Sequence, residues 1–350
     1  MTTRILLWPS ACRSKHPIRC FAIVLAMSLS VAAIAQKGNL GGAINDNLGD
    51  MDYGVCRGTD PECYHDWPRA KTTEFRVLLY TRTGVSRHSN LGPVLPPGLN
   101  PALAADNVVQ RGMQKLAEQY GIKLDYTEDV AELQAPRLFA YHAIIFFSTS
   151  RDILDDGAKT SLRQFMRAGG GFVGIHNAFG TLYNWPYYEG LLGGANFYDH
   201  GPLREGDVVT TDSKDVSTES LPPRWRFRDE WYNLVPFPTH VRFLATVDEK
   251  SWGDATRETR PPVGKHPNAA DRLASGANIN RVVGRHPGHG SFHPVAWCQY
   301  YDGGKVWVTT LGHDGALFDS DNSRIPGARE FQTLIMNGIK SVMGLEPFCR

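Results

Sequence analysis

The sequence predicts an α/β protein built on a doubly wound, mainly parallel sheet, with a β-rich C-terminal half. Three observations carry this. Between residues 75 and 176 apolar strands alternate with amphipathic helical segments, the pattern of βαβ units. Those strands are nearly continuous apolar runs, as in strands covered on both faces. After residue 200 the helical spacing gives way to short strands and a hairpin signal.

The elements follow in order. Residues 75–81 (FRVLLYT) form a first strand, and a Pro/Gly-rich loop over 84–101 carries His88. Residues 102–120 have helical spacing, with Val108, Val109, Met113, Leu116 and Tyr120 on one face and Gly121 past the end. Residues 122–126 and 141–148 are the second and third strands, the third (YHAIIFFS) strongly apolar. Residues 155–167 form a helix closed by a glycine run, and a fourth strand ends at His176. Further on, 207–211 and 241–247 read as strands, and 252–292 as a long surface loop that exposes His286 and His289. Asp302-Gly303-Gly304 between two apolar runs predicts a hairpin. Residues 327–343 form a terminal amphipathic helix.

Composition bounds the function. The fractions of hydrophobic (42%) and charged (21%) residues are those of an ordinary globular protein. A net charge of +1 argues against nucleic acid and against a membrane surface as partners. A small molecule is the expected partner, with a homo-oligomer left open.

Residues 1–35 read as a secretory signal: Arg4, Arg13, Lys15 and Arg19 precede an apolar stretch, and Ala33-Ile34-Ala35 offers a cleavage site after Ala35. The expectation is a periplasmic or secreted chain, with no membrane contact after cleavage. Residues 36–73 read as an extended arm. In an oxidising compartment Cys56 and Cys63 suit a local disulfide. Cys298 reads as a buried small hydrophobe, and Cys349 as either free or a pin for the C-terminus.

The most informative stretch is GGGFVGIHNAFG, residues 169–180. A strand ends on a polar residue flanked closely by small ones, Gly174 and Ala178. That is the pattern of a nucleophile elbow, whose turn is too tight for bulky neighbours. Here the residue at the tip is His176. A helix following the elbow would aim its N-terminus at the same place and favour an anion.

With YNWPYYEGLLGG, DEWYNL and HPVAWCQYYDGGKVWVTTLGHD in that order, the chain resembles the ThuA-like (trehalose utilisation) family over residues 74–344. The resemblance implies a flavodoxin-like, class I glutamine amidotransferase-like fold, with 252–292 as an insertion. It also points to a carbohydrate, a glycoside or keto-sugar, as substrate. The chain departs from the glutaminases of that fold. They need a cysteine at the elbow and a His-x-Glu pair, and neither occurs here. Glutamine amidotransferase activity by the usual route is excluded.

The catalytic candidates are His88 and His176, which topology places at the carboxyl ends of strands, and one of Asp229 and Glu230. Adjacent strand residues face opposite ways, so only one of these carboxylates can face the pocket. Asn177, Tyr183 and Trp231 are candidates for sugar binding. His293 opens the first hairpin strand and His313 follows the second. With His88 and His176 they make a candidate set for a divalent metal such as zinc. Three readings stand open: a sugar-processing enzyme using histidine acid/base or metal-assisted chemistry, a non-catalytic carbohydrate-binding domain, and a metal-dependent hydrolase of another substrate.

Overall fold

The computed structural model describes residues 52–68, 74–252, 286, 288–318 and 325–350. Residues 1–35, expected to be a signal segment, much of the expected arm over 36–73 and most of the loop expected over 252–292 lie outside the described residues.

Five strands form the parallel block: β2 (Arg76–Tyr80), β3 (Lys123–Thr127), β4 (Ala143–Phe147), β5 (Gly171–Ile175) and β12 (Gly304–Thr309). Their order is β3-β2-β4-β5-β12, which is the flavodoxin-like order 2-1-3-4-5. β4 is apolar throughout because it is central: all five of its residues are fully buried, as a strand covered on both faces requires. The helices between strands are α1 (Val108–Gln119) and α2 (Asp156–Arg167). Asp155 caps α2 by accepting from the Ala158 N–H at 2.8 Å. α1 is shorter than its pattern, because residues 102–107 run as an irregular approach to it.

The β-rich half extends the same sheet. β11 (His293–Tyr301) pairs antiparallel with β12. β10 (Arg242–Asp248), β7 (Arg204–Thr210) and β8 (Arg224–Asp229) continue outward, all antiparallel. β8 escaped the sequence reading because its RWRFRD alternates strictly between exposed and buried positions and lacks an apolar run. A separate two-stranded ribbon, β6 (Phe197–His200) with β9 (Tyr232–Leu234), was also unforeseen. α3 (Pro186–Leu191) follows the elbow region, and α4 (Ala328–Met343) closes the chain. The ring of Trp307 meets α4 where Gly338 leaves room: a Cβ there would lie 2.5 Å from the indole.

The arm contributes β1 (Arg57–Gly58), antiparallel to β11. Cys56 and Cys63 are disulfide-bonded as expected. Cys298 is not a free hydrophobe: it is bonded to Cys349 across 51 residues, which ties the C-terminus to β11.

Candidate metal centre

His176 stands at the turn that its glycine-rich surroundings anticipate. Its φ of 54° is left-handed, a conformation uncommon outside glycine. The register pairs Ile175 with Phe147 on one side and Thr309 on the other. Ser148 and Thr310 are therefore its lateral neighbours. The elbow does not lead into a long helix, as the sequence reading had it: residues His176–Gly180 form one short 3-10 segment. The anion-binding helix terminus is absent at that place. Asn177 is a brace for this turn. Its amide donates to the Thr149 carbonyl at 3.0 Å, and its own oxygen fills the space beside Gly180, where a Cβ would come within 2.4 Å.

Four side chains meet at this edge. One ligand-type atom from each of His88, His176, Glu230 and His313 lies within 4.8 Å of the others. His176 Nε2 is 3.2 Å from His88 Nε2 and 3.9 Å from Glu230 Oε2. His313 Nδ1 is 3.1 Å from Glu230 Oε2, close enough to form an ion pair. Zinc–nitrogen bonds of about 2.0–2.1 Å set tetrahedral ligand atoms about 3.3 Å apart; the 3.1 and 3.2 Å separations match this, and the wider ones would have to close on an ion.

The electrostatics divide the group in two. Burial, reinforced by the nearby His313, pushes His88 down to about 4. Burial also holds His176 well below the ordinary histidine range. Both imidazoles are thus neutral and able to ligate. For His313 burial acts downward, but the Glu230 carboxylate outweighs it and raises the group. Glu230 is buried too, which acts upward, yet His313, His200 and His88 together lower it. The His176 Nδ1 faces the Thr310 carbonyl at 3.0 Å. A carbonyl only accepts, so Nδ1 carries the proton and Nε2 the lone pair.

The supports are as specific as the ligands. Arg87, beside His88, donates to the carbonyls of Gly92, Leu91 and Pro93 and pairs with the buried Glu128 at 2.8 Å. It holds the 84–101 loop in place. Asn90 donates to the His313 carbonyl at 2.8 Å. Asp229 is fully buried and accepts from the N–H groups of Gly312 (2.7 Å), His313 (3.3 Å) and Glu230 (2.8 Å). Burial pushes it up to about 7, against those hydrogen bonds. Of the adjacent carboxylates, Glu230 therefore faces the site and Asp229 positions its backbone.

Two candidates lie elsewhere. Trp231 is in the core, stacked on Trp252 at 6.1 Å. His293 is engaged elsewhere: its Nε2 faces the Tyr232 carbonyl at 2.9 Å and its Nδ1 faces Glu249 at 2.8 Å. Extending the Ala296↔Thr309 register places His293 opposite Gly312, one short of His313, and one residue along a strand changes the face. Tyr183 is half-buried on the flank, its hydroxyl donating to the Phe197 carbonyl at 3.0 Å. Two nearby groups were missed. His200 Nε2 lies 3.6 Å from Glu230 Oε2, and the Tyr232 hydroxyl lies 2.9 Å from His176 Nε2. Glu230 lies in the short link between β8 and β9, so strand alternation could not show that it and Tyr232 meet.

His286 and His289 are partly buried rather than exposed. His289 Nε2 accepts the Leu234 N–H at 3.0 Å, and burial pushes the ring down to about 3. The folded state thus binds fewer protons than the unfolded chain between pH 6.5 and 3. The stabilisation from this group is present above pH 6.5 and is lost as pH falls through that window, at up to about 1.4 kcal/mol per unit. Urea melts from pH 7 to 4 should show a shallower decline for His289→Gln; an identical slope would refute the assignment.

The sequence model of a family described as "Trehalose utilisation" matches residues 102–340, more than half of the chain. Among solved structures, a ThuA-like protein from Bacteroides uniformis aligns at 20% identity with a TM-score of 0.52, over 79% of this chain and 95% of its own. A ThuA-like protein from Parabacteroides merdae aligns at 14% identity and 0.51, over 78% and 91%. These structures share the fold. No curated protein matches the sequence.

Proposed function

The chain belongs to the trehalose-utilisation (ThuA) family, and on that premise we propose that it is an exported, metal-assisted carbohydrate-processing enzyme. One observation carries the reading: three imidazoles and a carboxylate, drawn from loops far apart in sequence, meet at the carboxyl edge of the sheet. Polar groups hold that arrangement from behind, Thr310 through His176 and Asp229 through the His313 backbone, as supports of metal ligands do. A shared cation would take the place of the His313–Glu230 ion pair, whose atoms lie 3.1 Å apart.

A zinc ion held there would polarise a carbonyl or hydroxyl oxygen of the substrate. The chain's own residues supply the rest. His88, His176, His313 and Glu230 bind and orient. His200, whose Nε2 lies 3.6 Å from Glu230 Oε2, is the neighbouring histidine placed to move a proton. A keto-sugar fits this division, because a proton next to a carbonyl is removed while the oxygen is polarised. The two disulfides favour the oxidising compartment that the N-terminal segment suggests.

Elemental analysis of the purified protein should find one zinc-class ion per chain, and chelation should lower the melting temperature. A panel of keto-glycosides should reveal turnover that chelation abolishes. Absence of stoichiometric metal, with a melting temperature indifferent to chelator, would defeat the proposal.

A further inference from the structure

Tyr232 is fully buried, and its hydroxyl hydrogen-bonds to His176 Nε2 at 2.9 Å. Its ring lies along the His176 imidazole, centroids 4.7 Å apart and planes 30° from parallel. Phe197 packs on its other side at 4.4 Å. The strand that carries it is clamped twice: His293 donates to the Tyr232 carbonyl and His289 accepts the Leu234 N–H. The hydroxyl is therefore held where it is by its ring and its backbone together.

That place is already spoken for. With Nδ1 protonated toward Thr310, His176 has a single lone pair, on Nε2. Two groups reach that lone pair in the ion-free protein, the phenol O–H at 2.9 Å and His88 Nε2 at 3.2 Å; the phenol is the nearer, and a metal ion needs the same lone pair. Resting on the metal-centre reading above, we infer that Tyr232 is a built-in competitor of the ion at His176, a guard that sets how tightly the centre holds a divalent cation. Binding must break the O–H···N bond. The freed O–H donor then sits beside the ligand atom, where the oxygen of a substrate would meet it.

Titration calorimetry with zinc on the full chain, wild type against Tyr232→Phe, tests this. Phenylalanine keeps both ring contacts, and near-UV circular dichroism checks the packing. Zinc should bind the variant about five- to tenfold more tightly, the worth of one modest hydrogen bond. Equal or weaker binding in the variant overturns the inference while leaving the metal centre standing. Zinc binding by neither protein overturns the metal centre and the inference with it. A second measurement needs no metal: in nitrogen-15 spectra of the ion-free proteins, the His176 Nε2 resonance should move on Tyr232→Phe as the lone pair loses its donor. An unmoved resonance also overturns the inference.

Discussion

Replacing His176 by asparagine should weaken zinc binding about 100-fold or more. Zinc held by four protein ligands in small folded sites is worth about 10–16 kcal/mol. One ligand's share is then about 3 kcal/mol, and each 1.4 kcal/mol is tenfold. Asparagine is the informative replacement because the position has a φ of 54°, which asparagine tolerates better than alanine does. A loss of metal affinity is then not confused with a collapsed elbow. Turnover of keto-glycosides should fall with the zinc occupancy. Unchanged zinc affinity in a folded His176→Asn protein would remove His176 from the centre.

Arg87→Ala should destabilise the fold by about 3 kcal/mol, the lower end of the cost of breaking a buried ion pair. The lower end applies because Glu128 would keep two donors, the Thr81 hydroxyl at 2.9 Å and the Leu95 N–H at 3.3 Å. The guanidinium also collects the carbonyls of Leu91, Gly92 and Pro93, so the loop that presents His88 should loosen and zinc affinity should drop with stability. Urea melts of Arg87→Ala, Glu128→Ala and the double variant measure the coupling. A coupling below about 0.5 kcal/mol would show the pair to be incidental.

Much of the parallel block was legible in the chain. β4 reads as a strand because all its residues are apolar, and it is apolar because both its faces are covered. The glycine run and the small neighbours of His176 announced a tight turn, and the left-handed φ is that turn. Once the strands are known to run parallel, their carboxyl ends share an edge, so His88 and His176 were placed together without coordinates. The Asp302-Gly303-Gly304 turn located the hairpin for a similar local reason.

The remaining members of the centre were beyond local pattern. Whether Glu230 or Asp229 faces the cleft depends on where β8 ends and β9 begins, and whether His293 or His313 joins depends on a register offset of one residue. Cys298 pairs with Cys349 only because β11 and the C-terminus meet in space. The sequence by itself determined the parallel strands, the hairpin, the elbow and the edge on which chemistry can occur, because these follow from the periodicity and the size of neighbouring residues. The tertiary structure alone decided which side chains share that edge, and that the Tyr232 hydroxyl comes within hydrogen-bond distance of His176 Nε2. Both depend on contacts between segments tens of residues apart, for which no local signal exists.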